Sequence, residues 1–89
     1  MMITAEKVLN VAESELGYYE KKDVSKLDSK KDNAGDKNYT KYSRDLYAAH
    51  FYNGNKQGYA WCDQFVDWCF FTACGGDKEK AEADRKSVV

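Results

Sequence analysis

No stretch of this chain approaches the ~20 consecutive apolar residues needed to cross a bilayer, so no membrane partner is expected. The start, Met1-Met2-Ile3-Thr4-Ala5-Glu6, has no basic stretch followed by an apolar one, and so no visible export signal. Charge of one sign is lacking as well. With 14 basic against 15 acidic residues the net charge is −1, and this balance gives no electrostatic footprint for nucleic acid. Proline is absent, histidine occurs once and cysteine three times. An odd cysteine count disfavours a closed disulfide framework, and no Cys-x-x-Cys pair exists to hold zinc. No internal repeat and no period-two strand pattern is visible. What remains is 89 residues, enough for one small domain.

Helical spacing dominates. Val8, Leu9, Val11, Ala12 and Leu16 make one apolar stripe over residues 4–16, with Thr4 as N-cap, Ile3 stapling onto Val8, and Gly17 terminating the helix in a left-handed conformation. From Glu20 to Lys37 eleven of eighteen residues are charged, and the spacing predicts a solvated loop whose lysines face water. The stretch Asp32-Asn33-Ala34-Gly35-Asp36 is turn chemistry. Eleven of the thirteen aromatics lie between Tyr39 and Phe71, which places both the core and any site there. Thr40 can cap a second helix to about His50, with Tyr42, Leu46, Tyr47 and Ala49 on its buried side. A third helix runs from about Trp61 to Cys74 and ends at Gly75-Gly76. Asp77 can cap a fourth through Lys78–Arg85. The chain itself therefore reads as predominantly α-helical, with three to four helices and little or no sheet.

The three thiols have different expected fates. On one helix, Cys62 and Cys69 are separated by ~10 Å of rise, whereas bridged Cα atoms lie within ~7 Å. The same separation argues against a shared metal, so no metal site and no cofactor is expected. Cys69, among Phe65, Val66, Phe70 and Ala73, reads as a small buried hydrophobe. Cys62 follows the loop Gln57-Gly58-Tyr59-Ala60-Trp61 and opens a helix. There the macrodipole and unpaired backbone N–H groups favour thiolate, the form a cysteine nucleophile needs, while the neighbouring Asp63 opposes it. The alternative for Cys62 is a helix that simply begins near a cysteine.

The string Trp61-Cys62-Asp63-Gln64-Phe65-Val66-Asp67-Trp68-Cys69 resembles the nucleophile segment of the CHAP family, cysteine- and histidine-dependent amidohydrolases and peptidases of papain-like α+β fold that cut bacterial peptidoglycan. Two upstream stretches add to the resemblance: Glu15-Leu16-Gly17-Tyr18-Tyr19-Glu20 after the first helix, and Asn33-Ala34-Gly35 through Asn38-Tyr39-Thr40-Lys41-Tyr42, which is similar to prophage and Gram-positive members. Together they cover about residues 5 to 74. The resemblance implies Cys62 as nucleophile and, through its backbone amide, as an oxyanion donor. It puts Tyr42 and Trp61 near the substrate groove, with core packing the equal alternative for both, and Asn33 and Asn38 in the role of fixing the loop.

The family carries its general-base histidine downstream of the cysteine on a strand, and no histidine follows Cys62. His50, twelve residues upstream, is the substitute base; its other reading is a surface or helix-end histidine. Residues 1–89 are thus expected to form a single partial CHAP-like domain: the helical half, without the β-sheet half. The implied function is a peptidoglycan amidase or endopeptidase fragment, weak or inactive alone. Its partners would be the peptidoglycan stem peptide and a complementary C-terminal segment, and its localisation phage-lysin-like, cytoplasmic until release to the cell wall. The alternative is a non-catalytic helical binding or assembly module, self-associating as a dimer through an aromatic face that includes Phe65 and Phe70.

Overall fold

The computed structural model describes residues 5–52 and 54–87, the last four as backbone. The order of elements is α1 (Ala5–Ser14), α2 (Lys41–Ala48), α3 (Cys62–Ala73) and α4 (Lys78–Ser87). Among the described residues the only β pairing is a pair of isolated bridges, Lys21 with Ala34 and Lys21 with Tyr39. The chain is helical, as its periodicity predicts.

The helix ends follow their sequence signals, with shifts of a residue or two. The expected cap Thr4 and staple Ile3 lie outside the described residues. At the other end α1 stops at Ser14, whose hydroxyl turns back to donate to the Val11 carbonyl at 2.6 Å, and Gly17 takes φ +88° in the turn that follows. Thr40 caps α2: its backbone is extended and its Oγ1 accepts the Ser43 N–H at 3.2 Å. Asp77 caps α4 through an Oδ1 that accepts the Lys80 N–H at 3.0 Å.

Helices α2 and α3 close with the same Schellman pattern. In α3, Gly76 N–H donates to the Phe71 carbonyl at 2.9 Å and Gly75 N–H to Thr72 at 3.0 Å, and both glycines are left-handed. In α2 the equivalent bonds are Phe51 N–H to Leu46 and His50 N–H to Tyr47, at 2.9 and 3.0 Å. Here the left-handed position is held by His50, at φ +58°. The helix therefore ends before His50, and the histidine serves as the stop where glycine is usual.

Helix α3 is the centre: α1, α2 and α4 each pack against it. The core groups Tyr18, Tyr42, Leu46, Trp68 and Cys69, with Val8, Val11, Ala12, Phe65 and Phe71 among its partly buried flanks. Phe70 is buried and so is not part of an exposed aromatic face. Ala81 of α4 is fully buried.

The charged segment departs from its expected solvation at one residue. Lys21 is fully buried, its Nζ donating to the Lys30 carbonyl at 3.0 Å and lying 4.7 Å from the Tyr18 ring centroid. Burial pulls its pKa below the ordinary lysine value, and Asp32 partly opposes that shift. The cause is the backbone. Lys21 and Tyr39 exchange both N–H···O bonds, at 2.7 and 3.2 Å, which draws residue 21 inward while Lys22 and Asp23 stay exposed and Glu20 is half-buried. The rest of the loop wraps that bridge: Tyr18 Oη donates to the Leu27 carbonyl at 2.6 Å, and Leu27 is buried. Asn33, left-handed, donates to Asp23 and to the Ser25 carbonyl, fixing the loop. Gly35 passes so close to Lys22 that a Cβ there would meet the Lys22 Cβ at 2.7 Å.

Leu46 is fully buried in the core, whereas Leu16 is 73% exposed. Urea unfolding is expected to show Leu46→Ala losing about 2–5 kcal/mol of stability. Leu16→Ala should change it by less than about 0.5 kcal/mol. Similar losses at both positions would contradict this core.

Candidate functional site

The loop from Phe51 to Trp61 enters α3 under close control from two glutamines. The Gln57 side chain pairs with the backbone of Thr40 as a neighbouring strand would. Its Oε1 accepts the Thr40 N–H and its Nε2 donates to the Thr40 carbonyl, both at 2.9 Å. Gly58 N–H adds a bond to the Asn38 carbonyl at 3.1 Å. Gln64, at the third position of α3 and buried, reaches back to donate to the Lys56 and Ala60 carbonyls at 3.3 and 3.2 Å. Gln57 carries no sequence signal for this role. The only signal was a Gln at the third position of a helix, where such side chains commonly turn back toward the helix start.

Trp61 is the N-cap residue of α3, without a side-chain cap, and Cys62 is the first helical residue. Cys62 is exposed, with Asp63 beside it in the first turn. Cys69 is buried among the core rings and Cys74 half-buried, and no disulfide joins the three. Burial, with a smaller contribution from the Glu15 charge, pushes the Cys69 thiol up to about 11.

Next to this helix start lies an apolar cleft of about 410 Å³ between α1 and α3, walled by Leu9, Leu16, Tyr18, Trp61 and Phe65, with Tyr42 and Glu15 also on its lining. Trp61 and Tyr42 stack with ring centroids 5.6 Å apart and planes 25° from parallel. Tyr42 is 1% exposed, so it belongs to the core and forms the cleft's floor; Trp61 is half-buried and forms a wall. Core packing and groove lining are thus combined in this pair. The Tyr42 hydroxyl donates to Glu15 Oε1 at 3.1 Å, and Lys41 Nζ meets the same oxygen at 2.7 Å. Burial first, and the Glu15 charge second, raise the Tyr42 pKa far above its ordinary value.

The structure brings Trp61 and Tyr42 together on the cleft, whereas Cys62 follows Trp61 in the chain and is not among the residues lining it. His50 is exposed at the end of α2 and does not line the cleft. Among the described residues no group of three or more His, Cys, Asp or Glu is placed to share a metal ion. The chain matches no family model, no curated protein and no solved structure.

Two measurements check this site. Under native conditions a thiol reagent should modify Cys62 and leave Cys69 unreacted until the protein is unfolded; native labelling of Cys69 would contradict its burial. The second concerns pH. A tyrosine whose folded pKa is raised contributes stability that is intact below its ordinary value of 10.0 and is lost as pH rises beyond it. Tyr42→Phe is therefore expected to flatten the fall of unfolding free energy above pH 10, compared with the unsubstituted protein. Equal slopes would show that this hydroxyl is not buried.

Proposed function

We propose that this chain is the nucleophile-bearing helical portion of a CHAP-type cysteine amidohydrolase or peptidase of papain-like α+β fold, acting on the peptidoglycan stem peptide. The observation that carries the reading is the pairing of an exposed cysteine at the first residue of α3 with an apolar cleft walled by the preceding tryptophan. A thiolate there meets backbone N–H groups that no side chain caps, and the same N–H groups suit the oxyanion of a carbonyl under attack. In the proposed reaction Cys62 Sγ bonds to the amide carbonyl carbon and the C–N bond breaks. The amine leaves with a proton delivered by a general acid, and water then releases the acyl group. The proton carrier is proposed to be a histidine on a complementary C-terminal segment. His50 is the candidate within the chain, but its backbone is committed to ending α2. Localisation follows the lysin reading: cytoplasmic until release to the cell wall.

A second reading is favoured by one observation. Leu9 and Leu16, on the rim of the cleft, are 61% and 73% exposed, which suits a non-catalytic helical module that docks a partner or a second copy.

Thiol reactivity separates the two. The enzyme reading expects iodoacetamide to alkylate Cys62 clearly faster than Cys74 under native conditions. Equally sluggish reaction at Cys62 and Cys74 would favour the docking module. On Gram-positive cell walls the chain alone is expected to release little product, because loss of one member of a catalytic triad leaves only a residual share of the rate. What activity there is should vanish in Cys62→Ala.

A further inference from the structure

Trp61 belongs to both halves of the site, since its ring walls the cleft and its carbonyl accepts the Phe65 N–H at 2.8 Å in the first bond of α3. The aromatic neighbours hold the indole plane. Tyr42 stacks on it, while Tyr18 and Phe65 present edges with centroids 6.5 and 6.3 Å away. These contacts do not fix which way the ring's one polar atom points. Trp61 Nε1 donates to Glu20 Oε1 at 3.4 Å, and the other oxygen of the same carboxylate accepts the Asn38 N–H at 2.9 Å.

Both oxygens of Glu20 are thus met by N–H donors, one from the strap that precedes α2 and one from the residue that precedes Cys62. Among the described residues no lysine or arginine pairs with it. Asn38 is itself anchored: its backbone is left-handed at φ +62°, and its carbonyl accepts the Gly58 N–H. Only a carboxylate suits this place. It accepts at both oxygens, whereas the amide of glutamine would turn an N–H₂ toward one of two donors.

We propose that Glu20 is a positioning residue, which orients Trp61 and, through it, both the cleft wall and the first turn of α3. The consequence for Cys62 rests on its reading as a nucleophile; the orientation of Trp61 does not. Glu20 is not among the residues lining the cleft and meets Trp61 directly, so its effect runs through the indole.

The test uses the full ¹⁵N-labelled chain with Glu20→Gln, Trp61→Phe and the double variant. Hydrogen exchange is read at the indole and first-turn amide N–H groups, and iodoacetamide alkylation of Cys62 as a function of pH. Glu20→Gln should speed exchange of the Trp61 indole N–H and of the Phe65 amide, which donates to the Trp61 carbonyl and closes the first turn, by about fivefold, the effect of one lost hydrogen bond. The Trp68 indole, which donates to Asp45 at 3.0 Å, should be unaffected and reports that the fold is intact. Trp61→Phe should speed the same amide and shift the Cys62 profile in the same sense, and the double variant should go no further than either alone. Unchanged Trp61 and first-turn exchange in Glu20→Gln overturns the proposal. A shift of the Cys62 profile in Glu20→Gln that Trp61→Phe does not share marks a bare charge effect, and overturns it too. If Cys62 is no more reactive than Cys74 in the unsubstituted chain, the nucleophile reading fails, while the Trp61 exchange still decides the role of Glu20.

Discussion

The burial of one tyrosine ring organises this molecule. Tyr42 lies with its centroid 4.8 to 5.6 Å from those of Tyr18, Trp61, Phe65 and Trp68, so the turn after α1, the start of α3 and the middle of α3 all meet on one residue of α2. A phenol in that position must still satisfy its hydroxyl. Glu15 accepts it, Lys41 neutralises Glu15, and the Lys41 ammonium lies within 5.2 to 5.8 Å of three of the ring centroids. The polar group that burial would penalise is thereby used to tie the turn after α1 to α2. Without it the cleft would have no floor, and α3 would lose the ring on which Trp61, Phe65 and Trp68 all pack.

The segment before α2 does the corresponding work for the backbone. Residues 38–40 bond on one side to Lys21 and on the other to Gly58 and the Gln57 side chain. This strap, though not a regular strand, connects the charged loop to the loop that delivers Trp61 and Cys62. Glu20 closes the same circuit through side chains. A cysteine at a helix start is common. Here its approach is held by a strap, two glutamines and a carboxylate, which is the kind of support that a precise first turn needs.

Much of this was legible in the residues. Thr40, Asp77 and Gly75-Gly76 mark helix ends through chemistry that needs no tertiary context: a short acceptor side chain at the start, a left-handed residue at the stop. Asn33 declared itself by its tolerance of positive φ. The burial of Cys69 followed from the company it keeps at helical spacing. Cys62 was legible only as a position, the first residue after a glycine-bearing loop.

Other features were not legible, because they depend on groups brought together from far apart in the chain. Lys21 reads as one of many solvated lysines, and only its exchange of backbone bonds with Tyr39 takes it inside. His50 reads as the last residue of a helix, whereas the Schellman bonds to Leu46 and Tyr47 make it the stop. Gln57 and Glu20 carry no sequence signature of their pairing, and Gln64 carries only its place at the third position of a helix, since an amide or carboxylate side chain can satisfy whichever backbone group lies near it. Periodicity and capping, which are local, determined by themselves that this chain is a set of short helices with a cysteine at the head of one. Which polar side chains hold that cysteine's helix in place was decided by the tertiary structure alone, because a hydrogen bond between residues 20 and 61 exists only once the chain has folded.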